Sequence, residues 1–210
     1  MSVARRITVA RTTLIARAIV FAILPAGMMG CAQEGKTDRV IQISYTDYTT
    51  LYTPGMVQYA VPKGEMTTVV RGNPFPAGPA DPDAIAGAVP PPGWLSPPIR
   101  FTTKPGPGTP ENYKLVLIFT PGSPGAGDDQ TCADPAATPV GPGGGPVTLQ
   151  ATFCAGDRWV SHLVAYGPAV TGLGDRQFQT ILAQVSILLF PSSTPDQMRP
   201  FRPCKPPFCM

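Results

Sequence analysis

Residues 113–120 read YKLVLIFT and include five consecutive apolar side chains, from Leu115 to Phe119. A nearly continuous apolar run of this length is typical of a β-strand that is buried on both faces. The segment therefore predicts a strand inside the protein, with other elements covering both of its sides.

Other β-rich runs lie on either side of this segment in the chain. In chain order they cover residues 39–45, 66–71, 99–103, 147–154 and 158–166. Apolar and polar residues alternate along 147–154, which predicts a half-exposed strand. Gly156 and Asp157 predict a turn, so that 158–166 returns beside 147–154 as a hairpin.

One segment near the end of the chain has helical periodicity. The apolar residues that fall on one helical face are Phe178, Ile181, Leu182, Val185, Leu188 and Leu189. Asp175 is a suitable N-cap and Pro191 a suitable stop. The sequence predicts a helix over about 175–190.

Proline and glycine number 28 and 22 among the 210 residues, which excludes a mostly helical protein. Residues 76–98 and 121–146 hold many of them and predict long loops, with 143–145 as a linker. The predicted fold class is α+β, with a single domain over 37–198. It consists of a mainly antiparallel sheet, one C-terminal helix and long Pro/Gly-rich loops.

The first 30 residues have the layout of a secretory signal peptide. They hold four arginines and no acidic residue, and residues 18–29 form an uncharged apolar run. Twelve residues are too few to cross a bilayer, which needs about 20. A basic segment followed by a short apolar run is typical of an export signal.

Met28-Met29-Gly30-Cys31 resembles the lipobox of bacterial lipoproteins. The resemblance implies that residues 1–30 are cleaved and that Cys31 becomes the acylated first residue, followed by a tether over 31–36. Ala32 in place of Asp implies sorting to the outer membrane, facing the periplasm. The alternative is an ordinary signal peptide with a cysteine near its end.

Residues 69–75 (VVRGNPF) and 153–158 (FCAGDR) resemble segments of uncharacterised bacterial envelope lipoproteins. This resemblance implies no activity and no catalytic residue.

The other cysteines are Cys132, Cys154, Cys204 and Cys209, an even set that suits an oxidising compartment. We predict the pairs Cys132–Cys154 and Cys204–Cys209. The second pair would form a ring in the Pro-rich tail, residues 199–210. A metal site is the rival interpretation, but it needs closely grouped Cys and His. No metal or cofactor is predicted.

Only 14% of the residues are charged, and the net charge is +3. The predicted signal peptide holds four of the 16 basic residues, so the remaining chain has 12 basic and 13 acidic residues. Nucleic-acid binding needs clustered Lys and Arg and is excluded as a function class.

Three sets of side chains have the chemistry of a site. Ser161 and His162, with Asp157 and Asp175, are hydrolase residue types, but neighbours on a strand point to opposite faces and the G-x-S-x-G motif is absent.

The acidic residues Asp128, Asp129 and Asp134 lack EF-hand spacing, which favours a solvated loop over a Ca²⁺ site. An aromatic set is either a ligand-binding face or a cover for the core: Tyr45, Tyr48, Tyr52, Tyr59 and Trp94.

The sequence predicts a lipid-anchored envelope protein that binds or scaffolds without catalysis, and no catalytic residue is assigned. Its predicted partners are the membrane, through acyl chains on Cys31, and an envelope protein. One alternative is a subunit of an envelope complex that docks through its Pro-rich loops. Another is a periplasmic hydrolase that uses Asp157 and His162.

Overall fold

The computed structural model describes residues 41–122 and 129–194. The strands in this part of the chain are β1 (Gln42–Tyr48), β2 (Glu65–Arg71), β3 (Arg100–Thr102), β4 (Tyr113–Phe119), β5 (Pro146–Ala155) and β6 (Arg158–Ala169). The helices are α1 (Pro54–Ala60), α2 (Pro82–Gly87), α3 (Asp129–Ala133) and α4 (Arg176–Leu189), with a 3₁₀ turn at Pro135–Ala137. The predicted signal peptide, Cys31, the tether and the Cys204–Cys209 pair lie outside the described residues.

The six described strands form one sheet in the order β1-β6-β5-β4-β2-β3. The pairs β1–β6, β6–β5 and β5–β4 are antiparallel, whereas β2 is parallel to both β4 and β3. The α+β class and the mainly antiparallel sheet are therefore confirmed. Strand β3 is parallel to β2 because the connection through α2 returns the chain to the end of the sheet where β2 begins. Residues 103–112 return the chain again before β4, which is therefore also parallel to β2.

The prediction of a single helix is wrong, although α4 matches the predicted 175–190 and begins at its N-cap Asp175. Helix α2 lies inside the predicted loop 76–98, and α3 lies inside the predicted loop 121–146. Helices α1 and α2 each begin with a side-chain cap followed by proline, at Thr53 and Asp81. Helices α1, α2 and α3 have only five to seven residues each. They are too short to show the apolar periodicity by which α4 was predicted.

The main core lies between one face of the sheet and the apolar face of α4. It is formed by side chains that are almost fully buried, among them Leu117, Ala151, Phe153, Leu163, Phe178, Leu182 and Val185. The predicted strand 113–120 is confirmed as a doubly buried strand, because Val116 and Ile118 are buried on its other face.

The second face of the sheet is covered by α3. Cys132 of α3 and Cys154 of β5 lie at disulfide distance, with their sulfur atoms 1.96 Å and their Cα atoms 5.7 Å apart. The predicted pair Cys132–Cys154 is therefore at bonding distance. The bond joins α3 to the sheet beside the buried Val116 and Ile118.

The prediction that β5 is half exposed is wrong, because its polar side chains Gln150 and Thr152 are also buried. The amide Nε2 of Gln150 donates to Oγ1 of Thr131, 3.0 Å away on α3. Buried polar groups are accommodated when hydrogen bonds replace those to water. The alternating polar residues of β5 therefore face α3 and are buried beneath it, instead of facing solvent.

The glycines at 143–145 are not an open linker. Gly143 has a φ of +80°, and a Cβ there would lie 2.7 Å from the carbonyl oxygen of Asn73. The amide of Gly144 donates to the carbonyl of Pro74, 3.2 Å away. Glycine is required because this segment packs backbone to backbone against 73–76.

Candidate functional site

The carboxyl end of α4 is the best-supported candidate site. The last carbonyls of a helix have no partner within the helix. At this end they are met by side-chain donors from elsewhere in the chain. The pairs are Tyr48 Oη to Leu188 O, Ser161 Oγ to Leu189 O (2.8 Å), Trp94 Nε1 to Phe190 O (2.7 Å) and Tyr52 Oη to Pro191 O (2.7 Å).

These donors come from β1, from the segment that follows it, from the 88–99 segment and from β6. Their bonds fix the position at which the chain leaves α4. Burial raises the pKa of the phenols of both Tyr48 and Tyr52. The two hydroxyls therefore stay protonated and able to donate at any physiological pH.

A surface groove of about 410 Å³ lies beside this end of α4. Its walls include Tyr48, Pro92, Trp94, Ile187, Leu188 and Pro191. The residues that line it carry no charge. We call this feature the α4 groove.

Ile187 is an exposed apolar residue of the groove wall, with 64% of its surface accessible. It lies outside the apolar stripe of α4 that faces the core. An apolar residue outside the core-facing side of the predicted helix could have indicated an exposed apolar surface from the sequence. The prediction used only the residues on the apolar face. Exposed apolar side chains grouped in a concave surface are typical of binding sites.

The predicted aromatic face is divided by the fold. Tyr48 and Trp94 line the groove, whereas Tyr52 is only 2% exposed and belongs to the core. Tyr59 is exposed and packs edge-on against Tyr113, with ring centres 6.0 Å apart. The members of the aromatic set therefore lie in different places, two at the groove and one in the core. The side chain of Tyr45 is outside the described part of the structure.

The structure does not assemble the hydrolase residues. Ser161 faces α4 and donates to its end, whereas the ring of His162 lies on the opposite face of the sheet, with Nδ1 2.9 Å from Oγ1 of Thr152. Asp157 is exposed in the β5–β6 turn, five residues from His162 and so about 16 Å away along an extended strand. Asp175 caps α4 with its carboxylate.

Sequence reasoning missed a polar row across three strands. Asp47 of β1 is the register partner of His162, which in turn is the partner of Thr152 on β5. The imidazole and the threonine hydroxyl are inaccessible to solvent. The row is invisible in the sequence because strand pairing over more than 100 residues creates it. Its two buried members, His162 and Thr152, form a hydrogen bond with each other inside the fold.

The acidic loop residues have local roles. Oδ1 of Asp129 accepts from the amide of Trp159 at 3.1 Å, and Oδ1 of Asp134 accepts from Ala136 at 3.0 Å. Asp128 is outside the described residues. Within 41–122 and 129–194, no three metal-ligating side chains gather into a possible metal site.

No family model, curated protein or solved structure matches this chain. Among the helices of the described segments, none has the length and apolar character needed to cross a bilayer. The function is therefore inferred from the residues themselves.

Proposed function

We propose that this chain is a lipid-anchored protein of the bacterial cell envelope that binds a partner and catalyses no reaction. The observation that carries the proposal is the export-type segment 1–30 ending at Met28-Met29-Gly30-Cys31. Acyl chains on Cys31 would hold the protein at a membrane, since each buried CH₂ contributes ~0.8 kcal/mol and two or more chains make attachment durable. Ala32 supports the outer membrane, facing the periplasm.

The chemistry of the described residues supports binding over catalysis. Ser161 and His162 point to opposite faces of the sheet, and each makes a hydrogen bond inside the fold. A nucleophile and its base must instead share a hydrogen bond at an accessible surface. The α4 groove, by contrast, is accessible, apolar and aromatic, and we assign the binding role to it. An envelope protein, as in the complex-subunit alternative, is a suitable partner class.

The anchor is tested by growing cells with an alkyne analogue of palmitate and measuring its incorporation. The wild-type chain is expected to carry label, and Cys31→Ser is expected to carry none. Cys204→Ser is the matched control and should keep the label. Label on the Cys31→Ser protein would contradict the proposal.

A further inference from the structure

We propose that an extended peptide segment of a partner protein binds along the outer edge of β1 as an added strand, with an apolar side chain in the α4 groove and a basic side chain beside Asp47. The inference deepens the proposed function, because it rests on the assignment of the groove as the site for a protein partner. It does not depend on the lipid anchor.

The outer edge of β1 offers backbone groups to such a strand. In an antiparallel pair, residues that bond their partner alternate with residues whose backbone groups point away. The amide of Thr49 donates to the carbonyl of Val160, 2.9 Å away, so Asp47, two residues earlier, also bonds β6. The N–H and C=O groups of Thr46 and Tyr48 therefore point away from β6. No described strand lies on that side, and these groups form no hydrogen bond within the described residues.

The two edges of the described sheet differ in their protection against pairing. Edge strands are commonly protected by shortness and by charged side chains. The β3 edge has both protections, since β3 has three residues and carries Arg100, with Lys104 shortly after it. Strand β1 has seven residues, and Asp47 is the only charged residue within 41–62. Its bulge lies near its start and leaves residues 45–48 in regular register, so this edge can accept a short added strand.

The side chains of β1 define what the added strand must carry. Tyr48 packs on the α4 side of the sheet and lines the α4 groove, so a residue opposite it would direct its side chain into that groove. The uncharged lining favours an apolar side chain there. Asp47 points to the other face and is exposed, and no Lys or Arg of the described residues forms an ion pair with it. Because opposite charges directly across a strand pair are stabilising, the residue opposite Asp47 should be basic.

The ligand that fits this edge is an extended segment with the pattern apolar–basic–apolar. It lies antiparallel to β1, since antiparallel pairs are slightly more stable per residue than parallel pairs. The two apolar residues then lie opposite Tyr48 and Thr46, and their backbone amides donate to β1. The basic residue lies opposite Asp47, and its own backbone groups point outward.

The test measures the binding of a capped fluorescent peptide, Ser-Thr-Leu-Lys-Val-Thr-Ser, to the full chain purified from membranes in detergent. Fluorescence anisotropy is expected to show saturable binding, and the bound peptide is expected to slow deuterium exchange of the Thr46 and Tyr48 amides. Methylating the backbone nitrogens of Leu and Val in the peptide removes the donors that face β1 and keeps every side chain. This peptide should bind at least about tenfold more weakly. Methylating the outward-pointing backbone nitrogen of Lys is the matched control and should leave the affinity unchanged.

Substitutions in the protein test the two side-chain contacts. Asp47→Lys should weaken binding of the Lys peptide and strengthen binding of the same peptide with Glu in place of Lys, each by about threefold or more. Asp157→Lys, in the exposed β5–β6 turn, is the matched control and should change neither affinity. Ile187→Lys should weaken binding of the Lys peptide, whereas Val140→Lys, at an exposed apolar residue outside the groove, should not.

Three results would overturn the inference: no saturable binding, equal effects of the two backbone methylations, or no reversal of charge preference in Asp47→Lys. If Ile187→Lys weakens binding while backbone methylation and Asp47→Lys do not, the groove binds a partner without an added strand. The inference then fails and the proposed function stands. The palmitate label on Cys31 does not depend on the peptide and reports on the anchor separately.

Discussion

Single side chains hold the end of α4 against the sheet. The donors Tyr48, Tyr52, Trp94 and Ser161 bond four consecutive carbonyls, Leu188 to Pro191. Each bond joins α4 to a segment far away in the sequence. The shape of the α4 groove therefore depends on three aromatic side chains and on Ser161, none of which the sequence predicts to bond the end of a helix.

Tyr52→Phe removes the phenol that donates to the carbonyl of Pro191. Because the site is buried, we expect the free energy of unfolding in urea to fall by about 1–3 kcal/mol. Tyr59→Phe is the control, since Tyr59 is 71% exposed, and it should change stability by less than ~0.5 kcal/mol. Equal effects of the two substitutions would contradict this account of the groove.

Several carboxylates with a lowered pKa make the fold sensitive to acid, Asp83 and Asp175 among them. Hydrogen bonds from the Thr102 hydroxyl and from Thr103 lower the pKa of Asp83, and backbone amides of Thr171 and Gln177 lower the pKa of Asp175. In the unfolded chain both return to about 3.9. A lowered pKa in the folded state stabilises the fold above that value, and this stability is lost as the pH falls through the folded-state pKa.

We therefore expect the free energy of unfolding to decrease as the pH falls below about 4. Asp83→Asn removes one of these carboxylates and should make the dependence on pH less steep. The measurement is urea unfolding at a series of pH values. Asp157→Asn, in the exposed β5–β6 turn, is the control and should leave the slope unchanged. An unchanged slope in Asp83→Asn would contradict the assignment.

Gly143→Ala tests whether residues 143–145 are packed. A Cβ at Gly143 would meet the carbonyls of Asn73 and Phe75, and the φ of +80° disfavours alanine. We expect a loss of about 1–3 kcal/mol in unfolding free energy. At Gly145 a Cβ meets nothing within 4 Å, so Gly145→Ala should be nearly neutral. If Gly143→Ala is equally neutral, the segment is an open linker after all.

At the scale of elements, the sequence located every described strand and α4, since these depend on local apolar patterns. It missed α1, α2 and α3, which are too short for an apolar repeat; the local signals of α1 and α2 are the caps Thr53 and Asp81, each followed by proline. The parallel partners of β2 were also missed, because pairing between distant strands has no local signal. The buried side of β5 was misjudged because Gln150 finds its partner Thr131 only after α3 docks.

The link between α3 and β5 should contribute measurable stability. The cysteines are separated by 22 residues, and closing a loop of this size is worth about 3 kcal/mol in the chain-entropy model. The double substitution Cys132→Ala with Cys154→Ala should lower the unfolding free energy by this amount in non-reducing urea titrations. Cys204→Ala should not affect the bond. Free thiols at Cys132 and Cys154 in the oxidised protein would refute the pairing.

At the scale of the whole molecule, the sequence and the fold inform different parts of the account. The proposed anchor rests on the resemblance of Cys31 and its neighbours to a short motif that is recognised without a structure. The α4 groove arises from Trp94, Tyr48 and Ile187, which are far apart in the sequence and meet only through tertiary packing. The proposed anchor can therefore be argued from the sequence alone, whereas the α4 groove can be argued only from the fold.

The central claim is that the protein is a lipid-anchored binder, and the intact mass of the protein purified from membranes tests it most directly. The account predicts a chain that begins at Cys31 and carries a diacylglyceryl group, with Cys31→Ser protein lacking this added mass. A chain cleaved elsewhere, or one beginning at Cys31 without lipid, would contradict it.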